Sequence, residues 1–206
     1  MADVEDQDPP DALLLARAAA GDRNAFAALY RRRRPDVYRF ALLMSGSASV
    51  ADDVTQDVFM EVIRHAGRYQ PERAGVVPWL FGIARNCVLR TRERQRPVVP
   101  VDDIENGSRA LDLAVVSDPL AGMARRQHIA ALRRALLGLP AKYREVIVLC
   151  DLQELSYADA AASLRCALGT VRSRLHRGRA MLAARLAHTE ALPERGAKRR
   201  IEGWLL

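Results

Sequence analysis

Residues 156–186 read SYADAAASLRCALGTVRSRLHRGRAMLAARL. Ser156 and Asp159 have the spacing of a capping box, in which two side chains satisfy backbone N–H groups that a first helical turn leaves open. They predict a short helix over 156–164. Residues 165–169 form a turn, and Thr170 is a second capping-type residue in front of a basic helix over 170–187. A short helix, a turn and a second basic helix is the layout of a helix-turn-helix, whose second helix enters the major groove of DNA.

At about 100° per residue, the second helix places Val171, Leu175, Leu182 and Leu186 on one narrow face, which must pack inward. The opposite face presents Ser173, His176, Arg177 and the small Ala180. Arg172 and Arg179 lie on one flank, Arg174 and Arg185 on the other. Hydrogen-bonding groups at the centre suit base edges, and cations at the rim suit phosphates. The candidate DNA contacts here are Thr170, Arg172, Ser173, His176, Arg177 and Arg179. A solvated basic helix on any α-domain would carry the same charges; the two caps and the turn favour DNA.

The rest of the chain is helical in its spacing, with helices expected at 11–20, 22–34, 36–45, 50–66, 77–96, 120–137 and 141–152, so the fold class is all-α. Asp22 is a candidate N-cap. The 206 residues are 50% hydrophobic and 28% charged, enough for a packed core. The net charge of +7 is unevenly spread. Residues 1–11 hold five acids and no base, and read as an acidic, disordered N-terminus. Residues 12–96 are basic, 97–120 are acidic and broken by Pro97, Pro100, Gly107 and Pro119, and 121–187 are basic again. This gives two small helical domains, each facing a polyanion, joined by an acidic linker. The tail at 188–206 ends in an apolar tip after a basic stretch; it reads either as a disordered end or as a docking element for a regulator.

The string LPAKYREVIVLCDLQELSYADAAASLRCALGTVRSRLHRGRAML, and GTVRSRLHRGR above all, resembles region 4 of the bacterial sigma-70 family, in its extracytoplasmic-function subgroup. The resemblance implies a domain that reads the minus-thirty-five promoter element and engages the flap of the polymerase β subunit. It departs at residues 160–162, three alanines where the family usually carries a larger aliphatic, which predicts looser packing there.

The N-terminal block extends the resemblance. In ASVADDVTQDVFMEVIRHA, residues 48–66, Val54, Val58, Val62 and Ala66 form one stripe, and Asp53, Gln56, Asp57, Met60 and Arg64 another. By charge alone the second is a solvated face. Its acid–Gln–acid pattern is similar to the family's region 2.2, which implies binding to the clamp helices of the polymerase β′ subunit. WLFGIARN, residues 79–86, resembles regions 2.3–2.4, which open and read the minus-ten element. An extruded base needs a pocket, a polar edge and cations on its strand. Loop 69–78 is the expected pocket, Asn86 the polar edge, and Arg85 and Arg90 the phosphate holders. Trp79 reads as a core residue or a stacking group, and the arginine run at 31–34 as a duplex contact or a solvated helix end. The inner face of this helix is Leu80, Ile83, Ala84 and Cys87.

No P-loop, GxGxxG, GxSxG or HExxH motif occurs, and the four histidines and three cysteines form no ligand-spaced cluster. Neither catalysis nor a cofactor is expected. The N-terminus lacks the basic and apolar regions of a secretory signal, and no apolar run would span a bilayer, so a cytoplasmic chain without membrane insertion is expected. Expected partners are core RNA polymerase, promoter DNA and an anti-sigma factor. The alternative function is a stand-alone helix-turn-helix regulator, for which the 48–66 face would have no use.

Overall fold

The computed structural model of the protein describes residues 8–94 and 121–190, and every regular element among them is helical. The order is α1 (Asp11–Ala19), α2 (Arg23–Ser45), α3 (Ala48–His65), a 3-10 turn (Ala66–Arg68), α4 (Val76–Arg94), α5 (Ala121–Leu137), α6 (Ala141–Ile147) running into a π turn (Val148–Leu152), α7 (Tyr157–Leu164) and α8 (Leu168–Glu190). The acidic linker and most of the two chain ends lie outside the described residues.

Local chemistry sets the helix starts. The Asp22 carboxylate accepts from the N–H groups of Asn24 and Ala25 at the head of α2. Ser47 caps α3 at Val50, and Ser156 caps α7 at Asp159. Two expectations are corrected. The helices expected at 22–34 and 36–45 are one, with Pro35 inside α2. Proline removes one intrahelical bond, but the turns on either side stay packed through Leu29, Val37, Phe40 and Ala41. Thr170 does not cap α8, which begins at Leu168: the Ala167 carbonyl accepts from the N–H groups of Thr170 and Val171, so Thr170 sits inside the first turn.

The apolar core runs continuously from Leu14 and Leu29 of the first half to Leu164 and Leu175 of the second. Of the three alanines of α7, Ala160 and Ala161 are buried and Ala162 is exposed. The halves meet along α4 and the end of α2. Gly82 of α4 lies so close to the Ser163 carbonyl of α7 that an added Cβ would stand 3.4 Å from it. The Ser163 hydroxyl donates to the Pro78 carbonyl at 2.9 Å. Arg144 of α6 is buried and donates to Met44 O at 2.7 Å, Leu137 O at 2.5 Å and Leu139 O at 3.0 Å, joining the C-terminal ends of α2 and α5. Burial lowers the pKa of its guanidinium to about 10.

Candidate nucleic-acid interface

The second helix of the helix-turn-helix turns as its periodicity predicts. Val171 and Leu175 are buried, and Leu182 and Leu186 are half-buried. Arg172, Ser173, His176, Arg177, Arg179 and Ala180 are exposed. Thr170 is half-buried, and its carbonyl accepts from the Ser173 hydroxyl at 3.1 Å. Arg179 is already engaged, held at two points by Asp151. That pairing raises its pKa above the ordinary guanidinium value, with the hydrogen bond as the largest cause.

Gly178 was missed as a structural residue. It is buried on the inner side of α8, where an added Cβ would stand 3.0 Å from Ile147 Cδ1 and 3.3 Å from the Tyr143 carbonyl. A glycine within a helix costs propensity, and that is the signal that could have found it. The turn between α7 and α8 is reversed by Arg165, left-handed at φ 51°.

Val54, Val58 and Val62 of α3 and Ala66 of the turn after it are buried, while Asp53, Gln56, Asp57, Met60 and Arg64 of α3 are exposed on one side. Beside them lies an apolar groove that sequence reasoning missed, formed with α2: Phe26, Tyr30, Phe59, Met60 and Ile63, with Arg34 and Asp52 at its rim. Ile63 is 57% and Met60 43% exposed. Of the arginine run at 31–34, Arg32 is bound by Asp8, the Pro9 carbonyl and Asp11, and Arg33 by Asp11 and Asp36.

On α4, Leu80, Ala84 and Cys87 are buried and Ile83 is half-buried. Asn86 is exposed and opens on a cleft of about 580 Å³. Its walls are Glu61, His65 and Arg68 from the end of α3 and the turn after it, Trp79, Ile83, Asn86, Leu89, Arg90 and Glu93 from α4, and Arg165 from the turn before α8. Loop 69–78, expected to be the pocket, provides no wall of this cleft: Tyr69 donates its hydroxyl to Ala74 O at 3.0 Å and closes the loop on itself. Trp79 is half-buried against Tyr69, ring centroids 5.4 Å apart, with one edge on the cleft. Arg90 reaches the cleft but touches Cys87 Sγ at 3.1 Å and lies 3.8 Å from Glu61. Glu61 also draws in Arg64 and His65, at 3.7 and 3.2 Å. Arg85 does not face this cleft openly; its Nε donates at 3.0 Å to Glu145 of α6. Among the described residues no His, Cys, Asp and Glu cluster is arranged to hold a metal ion, and no helix is long and apolar enough to cross a membrane.

Comparison with known proteins covers both halves. Residues 29–98 match the family described as "Sigma-70 region 2" and residues 129–182 the one described as "Sigma-70, region 4". The chain is 38% identical over 181 residues to the ECF RNA polymerase sigma factor SigM of Mycobacterium tuberculosis, covering 86% of this chain and 85% of that protein. It is 36% identical over 192 residues to SigE of Mycolicibacterium smegmatis, covering 89% and 71%. Among solved structures, CnrH in complex with the cytosolic domain of CnrY superposes with a TM-score of 0.65 at 28% identity, over 86% of this chain and 97% of that one. RpoE of Bartonella quintana, in complex with the anti-sigma factor NepR, superposes with a TM-score of 0.58 at 27% identity, over 79% and 96%. Two sigma-70 regions in order on one chain, with relatives of this identity across most of its length, make the chain a member of the extracytoplasmic-function sigma factors of the sigma-70 family.

Proposed function

We propose that the chain binds core RNA polymerase and directs promoter-specific initiation through four surfaces. The exposed Asp53, Gln56, Asp57, Met60 and Arg64 of α3, with the adjoining groove, dock on the β′ clamp helices. Acidic and amide groups beside apolar side chains suit a basic helical partner. Arg172, Ser173, His176 and Arg177 of α8 read the minus-thirty-five element, and α6 helps to engage the β flap. Asn86, Trp79, Arg85 and Arg90 hold the opened minus-ten strand. The working units are residues 12–96 and 121–187.

The observation that carries this reading is the α3 face, where an acid–amide surface lies exposed over a buried valine stripe on the same chain as a helix-turn-helix. A stand-alone regulator would have no use for it. The chain supplies recognition and no catalysis of its own, and it works in the cytoplasm, where polymerase and promoter are. A protein anti-sigma factor is a further partner, by analogy with the complexes in which CnrH and RpoE were solved.

The test adds purified chain to core polymerase on fragmented genomic DNA from the source organism. Discrete transcripts starting at a shared pair of upstream elements are expected. DNA binding without any gain in specific transcripts would leave the stand-alone regulator standing.

A further inference from the structure

Of the five large apolar side chains that stand exposed among the described residues, Met60 and Ile63 are neighbours in the groove between α2 and α3. The groove has two hollows. One, of about 340 Å³, lies over Tyr30, Phe59 and Met60. The other, of about 270 Å³, lies between the α1–α2 turn and the end of α3, over Ala18, Val62 and Ala66. Phe26 and Ile63 belong to both and form the ridge between them. Contiguous exposed apolar surface of this kind marks an interaction site. Its flanks differ in charge. On the α3 side stand Asp52, Asp53 and Asp57, exposed and in no ion pair among the described residues, whereas Asp22 and Glu61 nearby are paired within the fold. On the α2 side stand Arg23 and Arg34, both exposed. The occupant that fits is apolar, with a basic run that crosses on the α3 side.

Residues 198–206 of this chain have that chemistry. They read KRRIEGWLL, three cations followed by Ile201, Trp204, Leu205 and Leu206. They are also within reach, because the later turns of α8 lie near the start of α3. The Arg185 guanidinium lies against Gly138, and Leu137, the residue before that glycine, lies against Gly46 between α2 and α3. Beyond Glu190, residues 191–203 span up to about 45 Å when extended. The length of α3 from Ala48 to Ile63 is only about 23 Å.

We infer that residues 198–206 dock in the α2–α3 groove of the same chain, with Lys198, Arg199 and Arg200 over the α3 acids and Trp204 seated against Phe26 and Ile63. The contact is made within one chain, so the tether supplies a high effective concentration and a modest local affinity suffices. The groove is also part of the surface proposed to dock on the β′ clamp helices, so the segment and polymerase compete for it; this consequence rests on that reading. Competition lowers the affinity for polymerase in proportion to the fraction of chains whose groove is open.

The docking experiment uses the full chain carrying Trp79→Phe, which leaves Trp204 as the single tryptophan. Acrylamide should quench Trp204 several-fold less than it quenches N-acetyltryptophanamide. Two variants in that background should each restore quenching: Ile63→Ser, on the groove, and Lys198→Glu with Arg199→Glu and Arg200→Glu, which leaves the groove untouched. A circular dichroism melt confirms that each is folded. Competition is measured separately, with Trp79 in place, by titrating core polymerase. Trp204→Ser with Leu205→Ser, which alters no charge, should tighten that binding several-fold. Quenching of Trp204 equal to that of the free amide, or equally low in the parent and in both variants, overturns the docking. Shielding that rises with protein concentration, together with a dimer in sedimentation, assigns the groove to a second copy and overturns docking within one chain. Release of Trp204 in both variants, with no gain in polymerase affinity from the serine pair, supports the docking and overturns the competition, and with it the place of the groove in the polymerase surface.

Discussion

Arg179 of α8 and Asp151 of the π turn after α6 form a two-point ion pair, Nε and Nη2 donating to the two carboxylate oxygens at 3.0 and 2.5 Å. Arg177, two positions earlier, is exposed on the reading face. Two arginines that the sequence separates only as centre and flank therefore differ in a second respect: one is held by an acid of its own half.

That difference predicts distinct phenotypes. Arg177→Ala should lose discrimination at one upstream promoter position, at a cost of roughly 1–3 kcal/mol for the affected base. Arg179→Ala should weaken all sequences about equally. Asp151→Asn should do the opposite of Arg179→Ala, releasing the guanidinium and removing a negative charge near the DNA, so affinity rises for every sequence. Binding to a panel of single-base promoter variants at several salt concentrations separates the three. Uniform loss in Arg177→Ala would remove it from base reading.

Polymerase docking can be tested apart from folding. Gln56→Ala with Asp57→Arg alters two exposed side chains beside the buried Val54 and Val58, and leaves that stripe intact. The double variant should keep its helical circular dichroism and melting temperature while losing affinity for core polymerase in a titration. Ile63→Ser, in the adjoining groove, should weaken the same complex. Unchanged affinity in both would place the clamp contact elsewhere.

Gly178 makes a stability prediction. Glycine to a larger residue inside a helix ordinarily gains propensity, yet here the new side chain would enter the space held by Ile147 and the Tyr143 carbonyl. Gly178→Val should destabilise the chain by about 1–3 kcal/mol through overpacking, read as a lower denaturation midpoint. A rise in stability would mean that α8 can move off α6 at little cost.

Cys150 is predicted to be a slow thiol. Burial raises its pKa to about 11, with Asp151 adding to the rise. At pH 8 roughly one molecule in a thousand would carry the thiolate there, so alkylation of the folded chain should lag far behind that of the unfolded chain. Mass spectrometry of iodoacetamide-treated protein measures this directly. The sign for stability follows. The folded thiol holds its proton more tightly than the unfolded one, whose ordinary value is 9.0. This group leaves stability unchanged below pH 9 and lowers it as pH climbs from 9 towards 11.

Periodicity and caps made most of the separate helices legible. Ser156 and Asp22 cap where their residue types say they should, and both the valine stripe of α3 and the Val171–Leu175 face of α8 point inward. Thr170 has a capping type as well, but the turn set by Arg165 starts the helix two residues earlier, and side-chain type carries no information about that backbone angle. Pro35 looked like a break because proline weakens a helix locally, whereas the packing of α2 on its neighbours is not local. The site was legible as surfaces and not as contacts. Nothing in the spacing of α4 points to Glu145, and nothing near Arg144 points to the Met44 carbonyl, because those partners lie 60 and 100 residues away.

The same separations bear on how the protein is made. The Ser163–Pro78 bond spans 85 residues, so each of these ties between the halves must wait for a distant part of the chain. The pairing of α2 with α3, by contrast, needs only Gly46 and Ser47 to reverse the chain between them. At roughly 5–20 residues per second, a ribosome that has completed α4 takes several seconds more to reach Ser163. During that interval the nascent first half has no α6 or α7 to cover it. It is therefore born with Arg85 open, and closes only once the second half has left the exit tunnel.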